Sequence, residues 1–127
     1  MKPEEELIHR VFYIRNYAHS THFSTRSYAT HKALGSFYED IIEELDTFVE
    51  QFQGTFGFIK IRMDNEVEES KEKENDEEDI LSCLQNDVKW INKNRSEIAR
   101  KVPALENTLD TLVGIYLQTI YKLRFLS

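Results

Sequence analysis

The stretch DNEVEESKEKENDEED, residues 64–79, divides the chain and decides how its helices can be connected. It holds ten acidic residues and two lysines, and Val67 is its single apolar side chain. Such a stretch cannot bury a hydrophobic face, which indicates a solvated connection that becomes helical near its end. On both sides of it the apolar residues recur with helical spacing. The sequence therefore predicts two helical halves joined by one long acidic connection.

Four segments carry apolar residues at spacings of three and four, the period of an amphipathic helix. Pro3 and three glutamates open the first segment, and the polar run Ser24–Ser27 separates it from the second. Pro103 separates the third segment from the fourth. The predicted helices cover about 4–22, about 27–53, about 80–101 and about 104–126, with a connection over 54–79. Inside this connection, residues 56–62 fit either a short strand or a turn of helix.

The order of loop lengths predicts the topology. Short, long and short loops are typical of a bundle whose second and third helices are joined by a crossover along its length. A helix of about 24 residues is about 36 Å long, and the roughly 25 residues between Gly54 and Ile80 span that distance when extended. The predicted fold is all-α: a single ferritin-like four-helix bundle over residues 1–127, with a long acidic crossover between its second and third helices.

Composition excludes several classes of protein. The net charge of −7 comes from residues 64–79, which carry −8, so the rest of the chain carries only +1 and has no basic tail. Nucleic-acid binding is therefore disfavoured. No stretch has the length or apolar content of a membrane span or signal peptide, which predicts a cytoplasmic protein. Cys83 is the only cysteine, so neither an intrachain disulfide nor a cysteine-based metal site is expected.

Five short stretches resemble the Dps family, the mini-ferritins that oxidise and store iron. They are HSTHF at 19–23, YATHKALGSFYE at 28–39, ELDTFVEQF at 44–52, NTLDTL at 107–112 and IYKLRFLS at 120–127. They lie on the first, second and fourth predicted helices, which together make up about half of the chain. The third helix and the acidic connection match the family only in position.

The resemblance implies a metal site. The family binds iron through two histidines twelve residues apart, an acid four residues later, and an Asp and a Glu in the second half of the second helix. The corresponding residues of this chain are His19, His31, Gly35, Asp46 and Glu50. The implied ligands are His19, His31, Asp46 and Glu50, and the acid missing at Gly35 predicts weak ferroxidase activity at most. Iron is the implied metal, and zinc suits the same ligands.

Helix geometry predicts that this site needs two chains. His31 and Asp46 are fifteen residues apart on one helix, about 22 Å along its axis, so they cannot bind one ion within a chain. If the second helix packs antiparallel against its copy about a two-fold axis, the histidine end of one faces the acidic end of the other. The sequence thus predicts a homo-oligomer, at least a dimer.

Other interpretations of these residues stay open. His19 and His22, three residues apart, could pair as ligands, but His22 also suits a polar contact or cap near the helix end. Asp46 and Glu50 suit a solvated helix edge. Glu39, one turn after Gly35, could replace the missing acid or be a surface charge. An alternative function is a non-catalytic bundle that binds a protein partner and has lost its metal site. A DNA-condensing role is disfavoured because the chain has no basic tail.

Overall fold

The computed structural model of the chain describes residues 1–63 and 77–127, and within these residues all regular structure is helical. The helices are α1 (Pro3–Ser24), α2 (Tyr28–Phe56), α3 (Glu77–Ala99) and α4 (Pro103–Phe125). For residues 1–63 and 77–127, the prediction of an all-α chain with four helices is confirmed. Residues 64–76, half of the predicted connection over 54–79, lie outside the described residues, and so does the predicted acidic crossover.

The helix ends differ from the predicted ones by a few residues. The polar run before α2 caps it as expected, because the Ser27 hydroxyl accepts a hydrogen bond from the Thr30 N–H. However, α2 continues through Gly54 to Phe56, and Gly57, with φ of 99°, is the glycine that ends it. Residues 57–62 form neither a strand nor a helical turn, so both interpretations of 56–62 are wrong. Their backbone is held instead by Ile59, which is buried and donates its N–H to the Gln53 side chain.

The turn between α3 and α4 has two residues in the left-handed region. Arg100 has φ of 52° and Lys101 has φ of 65°. The Arg100 N–H donates to the Ser96 carbonyl and the Val102 N–H to the Ala99 carbonyl, which close the end of α3. Pro103 is then the first residue of α4, where its missing N–H costs no hydrogen bond.

The helices pack in a ring in the order α1, α2, α4, α3, so α2 and α3 lie across the core from each other. Neighbours in this ring are antiparallel. Between α1 and α3, Arg10 pairs with Asp87 and Glu4 pairs with Arg100. Between α2 and α4, the Phe37 ring meets Tyr116, while Gln51 accepts a hydrogen bond from Thr108.

It follows that α2 and α3 run in the same direction. The end of α2 is placed by Phe56, whose ring lies under the Arg100 guanidinium just after α3. The end of α2 and the start of α3 are therefore at opposite ends of the bundle.

The core is formed by the inward faces of all four helices, and its largest fully buried side chains include Phe37, Phe48 and Tyr116. Cys83 is only partly buried at the margin of this core. Across residues 1–63 and 77–127, no helix combines the length and apolar character that a membrane span requires.

Candidate functional site

The four residues predicted to bind metal lie in two separate places. His19 on the last turns of α1 and His31 on the first turn of α2 share one end of the bundle. Asp46 and Glu50 are exposed farther along α2, at least about 22 Å from His31 along the axis. In the described part of the chain, no group of three or more His, Cys, Asp or Glu side chains could hold a metal ion. A site that uses all four residues therefore needs more than one chain.

His22 and His31 form a reciprocal pair across the α1–α2 hairpin. His31 donates from Nδ1 to the carbonyl of His22 at 2.8 Å, and His22 donates from Nδ1 to the carbonyl of His31 at 2.7 Å. Their rings stack with centroids 3.7 Å apart and planes 16° apart. A carbonyl oxygen can only accept, so each neutral ring must carry its proton on Nδ1. The lone pair of each ring is therefore on Nε2.

These two Nε2 atoms are the free coordinating groups of the hairpin end. Neither has a hydrogen-bond partner among the described residues, and neither is fully buried. Histidines that bind metals commonly donate the other ring N–H to a backbone carbonyl, which fixes the tautomer. Because the rings are stacked and nearly parallel, both lone pairs cannot point at one ion about 2.1 Å away. The pair can supply one nitrogen to a given ion.

Gly35 gives His22 its position. A Cβ atom built at Gly35 would lie 3.1 Å from Cε1 and 3.4 Å from Nδ1 of the His22 ring. The imidazole thus packs onto the bare backbone of α2, one turn after His31. The position where the resembled family has an acid is used here to seat a histidine.

His19 belongs to the same aromatic cluster but has different neighbours. Its ring stacks on Tyr38 at 4.0 Å and on Phe23 at 4.7 Å between centroids. Its centroid is 6.1 Å from that of His22. We call His19, His22, His31 and Tyr38 the histidine cluster. Stacking holds the His19 ring in place while neither ring nitrogen is fully buried.

A second polar group lies inside the bundle. The carboxylate of Asp87 accepts a hydrogen bond from the fully buried Tyr116 hydroxyl at 2.9 Å and pairs with Arg10 at 3.0 Å. Arg10 also pairs with Glu6 and lies over the Trp90 ring. Burial, and then the charge of Asp87, raises the pKa of Tyr116 well above its usual 10.0. Tyr116 is therefore a neutral donor that ties α4 to α3.

The sequence interpretation gave His22 a polar contact near the helix end but not its partner or its seat on Gly35, and it missed the role of Asp87. The signal for His22 was Gly35, since a glycine inside an apolar helix pattern often marks a close approach by another group. The signal for Asp87 was its position on the buried face of α3, at helical spacing from three core residues: Ile80, Leu84 and Ile91. An acid at such a position needs a buried donor, and Tyr116 supplies it.

Comparisons with known proteins identify a family. The model of the family of unknown function DUF5856 matches residues 22–123. The chain is also similar to the uncharacterized 14.6 kDa protein in the mobD-ri intergenic region of Enterobacteria phage T4. It is 26% identical to that protein over 107 residues, covering 84% of this chain and 77% of the phage protein. No solved structure matches the chain. Because the family model covers 102 of the 127 residues, including the histidine pair, α2 and most of α4, the chain belongs to the DUF5856 family.

Proposed function

We propose that this protein binds iron at a site shared by two copies of the chain, in the manner of the mini-ferritins that its sequence resembles. The proposal rests on the hydrogen bond of the His31 ring, which donates Nδ1–H to a backbone carbonyl. The lone pair is then on Nε2, which is not fully buried. This is the tautomer and the support that a metal ligand requires. Zinc could occupy the same ligands.

The remaining ligands come from a second copy. Asp46 and Glu50 are four residues apart on one exposed edge of α2, where both carboxylates can reach the same ion. The exposed residues near the start of α2 include Arg26 and Lys32, whereas the exposed acids lie in its middle and second half. Antiparallel pairing of two α2 helices places the basic end of each beside the acidic part of the other. The same pairing brings His31 of one copy toward Asp46 and Glu50 of the other.

The pairing also has an unfavourable component that the metal offsets. Glu39 and Asp40, near the middle of α2, are exposed and would lie close to the two-fold axis, opposite their own copies. Like charges at short range oppose such contact. A dimer formed through α2 should therefore be stronger with a divalent cation than without one.

The chemistry of this site is limited by its ligands. The stacked histidine pair supplies one nitrogen to an ion, and Gly35 supplies no carboxylate. A site with few protein ligands binds iron more weakly and leaves positions open to water or peroxide. Metal binding is accordingly the primary function proposed, with slow oxidation of ferrous iron as its extension.

The arrangement of the helices supports the proposal at the level of the fold. Neighbouring helices are antiparallel, and α2 and α3 run in the same direction across the core, as the ferritin-like topology requires. In ferritin-like bundles the metal ligands project from facing helices. In this chain the proposed ligands project outward, which is the arrangement suited to a site between subunits.

The test is metal analysis on protein purified without chelator, with the mass in solution measured on the same sample. We expect about one iron per chain in wild type. His31→Ala and Asp46→Ala should each lose the metal while the helix content by circular dichroism stays unchanged. Glu43→Ala is the matched control, because Glu43 is another exposed acid of α2 outside the proposed set.

Mixing the two variants tests whether the site is shared. A mixed dimer of His31→Ala and Asp46→Ala chains keeps one intact site, formed by His31 of one chain and Asp46 of the other. Random exchange of equal amounts makes half of the dimers mixed, so about a quarter of the wild-type metal content should return, and a purified mixed dimer should hold half. Wild type that is free of metal and does not bind added ferrous iron would overturn the proposal.

A second candidate is a protein-interaction module with a decayed metal site. The observation that favours it is the use of the Gly35 position to seat the His22 ring, which makes the histidines a structural connection between α1 and α2. This candidate requires a stable stoichiometric complex with a protein from a cell lysate. The complex should persist in chelator and in the His31→Ala, Asp46→Ala double variant, where the metal-dependent function is lost.

A further inference from the structure

The outer face of α4 carries large apolar side chains that nothing in the described structure covers. Leu117, Tyr121 and Phe125 are 51%, 55% and 64% exposed and follow one another at intervals of four residues. The rings of Tyr121 and Phe125 are 5.9 Å apart between centroids, so they form one continuous strip. The opposite side of α4 is buried in the bundle. A helix that is apolar on two faces can bury the second face only by packing against another partner.

This face has the spacing of a helix–helix contact. Its positions are Asp110, Gly114, Leu117, Tyr121 and Arg124, which we call the α4 seam. Their intervals are four, three, four and three residues, the alternation with which the helices of a coiled coil meet. The seam thus runs straight along α4 for about four turns.

The α4 seam contains both a small residue, Gly114, and a large exposed side chain, Tyr121, that can pack against it. A Cβ atom built at Gly114 meets nothing within 4 Å, so the backbone there is bare and open to solvent. Tyr121, seven residues later on the same face, presents a large ring of which more than half is exposed. Small residues let two helices approach closely, and a large side chain opposite fills the space that remains.

The charges at its two ends have opposite signs. Asp110 is seven residues before Leu117, and its side chain is 65% exposed although it pairs with Arg95. Arg124 is seven residues after Leu117 and is exposed, with its guanidinium 4.8 Å from the centre of the Phe125 ring. The seam is therefore negative at one end and positive at the other.

We infer that a second copy of this chain packs antiparallel on the α4 seam, about a two-fold axis at Leu117. In this register the Leu117 side chains meet at the axis, and Asp110 of each copy lies opposite Arg124 of the other. Tyr121 of each copy covers Gly114 of the other, since these residues lie four and three positions from Leu117. One register thus satisfies the apolar, steric and charge pairings together. This interface is separate from the proposed α2 contact and does not rest on the metal site.

The acidic segment of the chain does not suit this surface. Residues 64–76 contain one apolar side chain, Val67, so their composition offers little apolar surface to match the strip of Leu117, Tyr121 and Phe125. The acidic composition of the chain also opposes contact with an anionic membrane or nucleic acid. The self-complementary charges favour a copy of the same chain over a protein of uniform charge.

Sedimentation of the full chain in chelator, over a concentration series, tests the inference. We expect a metal-independent dimer in wild type and a rise of at least about a hundredfold in its dissociation constant for Tyr121→Lys, because each dimer contains the change twice. Gly114→Leu should also weaken the dimer by blocking the approach of Tyr121, while the helix content is unchanged. Phe58→Lys is the matched control, since Phe58 is 94% exposed and outside α4.

A cross-linking experiment tests the register. In a Cys83→Ser background, Leu117→Cys places two thiols at the axis, and oxidised glutathione should join them into a covalent dimer. A cysteine placed by Phe58→Cys should cross-link much more slowly. A chain that stays monomeric in chelator, or a dimer that Tyr121→Lys leaves unchanged, would overturn the inference. A dimer that appears only with metal and is lost in Asp46→Ala would support the α2 contact instead.

Discussion

Among single residues, Gly35 is a position where an added methyl group would crowd the His22 ring. A Cβ there would lie 3.1 Å from Cε1 of His22, whose ring is held by stacking on His31 and by a hydrogen bond to its carbonyl. We therefore expect Gly35→Ala to lower the free energy of unfolding by about 1 kcal/mol, because overpacking outweighs the better helix propensity of alanine. Urea unfolding measures it.

Gly54→Ala is the control for this substitution. Gly54 is also inside α2, but a Cβ there meets nothing within 4 Å. Alanine leaves the unfolded chain less conformational freedom than glycine does, so Gly54→Ala should raise the free energy of unfolding by about 0.5 kcal/mol. If both variants were equally stabilised, the His22 ring would have to move freely, contrary to the packing described.

Tyr116 makes stability depend on pH at the alkaline end. Its pKa in the folded chain is raised by burial and by Asp87, whereas the unfolded chain releases the phenol proton near the usual 10.0. The unfolded state then binds fewer protons, so the stability contributed by this group is present below about pH 10 and is lost above it. We expect the free energy of unfolding to fall more steeply above about pH 10 in wild type than in Tyr116→Phe.

At neutral pH the same variant should be less stable by about 1–3 kcal/mol, because the buried Asp87 loses one donor. Tyr28→Phe makes the same chemical change at a tyrosine that is 74% exposed, and its free energy of unfolding at neutral pH should stay close to that of wild type. Parallel profiles for wild type and Tyr116→Phe would show that the phenol titrates at its ordinary pH.

At the scale of the helices, the α3–α4 turn combines backbone strain with a structural ion pair. Arg100 and Lys101 both have positive φ. Arg100 also pairs with Glu4, which is 4% exposed, and its guanidinium lies over the rings of Phe52 and Phe56. Lys101→Gly should raise the free energy of unfolding by about 0.5–1 kcal/mol. Arg100→Gly should lower it by at least about 1 kcal/mol, since Glu4 is left buried without its partner.

The two glycine variants are controls for each other, because they relieve strain of the same kind. Thermal and urea unfolding should give Lys101→Gly a higher free energy of unfolding than wild type and Arg100→Gly a lower one. If Arg100→Gly were also stabilised, Arg100 would not connect the ends of α1, α2 and α3 as its contacts indicate.

At the scale of the whole molecule, the parallel directions of α2 and α3 set a minimum length for the chain between them. The start of α3 is a full helix length, about 34 Å, from its end beside Phe56. Deletion of residues 64–76 leaves four residues between the buried Ile59 and Glu77, which reach about 17 Å when extended. We expect this variant to lose its cooperative unfolding transition.

Replacement of the same thirteen residues by a neutral Gly-Ser chain of equal length is the control. The Gly-Ser chain can span the same distance as residues 64–76 but carries no charge. The helix content and melting temperature should therefore stay close to those of wild type. A folded deletion variant would contradict the arrangement of the four helices, and an unfolded neutral variant would show that the acidic charge itself is needed.

Periodicity made the helices predictable, whereas their exact ends were set by local backbone chemistry. The apolar spacing of α1 to α4 is strong enough to give four helices within a few residues of those observed. The end of α2 was predicted near residue 53 because Gly54 looked like a terminator, but only Gly57 has the positive φ that ends a helix. Sequence shows that a glycine is present, and not which φ it adopts.

The candidate site was predictable in part for a similar reason. Residue spacing indicated His19, His31, Asp46 and Glu50, and whether they meet in a dimer stays a prediction. Spacing could not indicate that His22 and His31 exchange hydrogen bonds across the hairpin, because that depends on the angle at which α1 and α2 meet.

The helical class, the four helices and the separation of an acidic segment from nearly neutral helices could be predicted from the sequence, because they follow from local composition and from a period of 3.6 residues. Which side chains meet depends on the packing of the helices: the His22–His31 stack on Gly35, the Asp87–Tyr116 bond in the core and the exposed seam of α4. These contacts join residues distant in sequence, and they depend on how helices rotate and tilt against one another when their faces are packed.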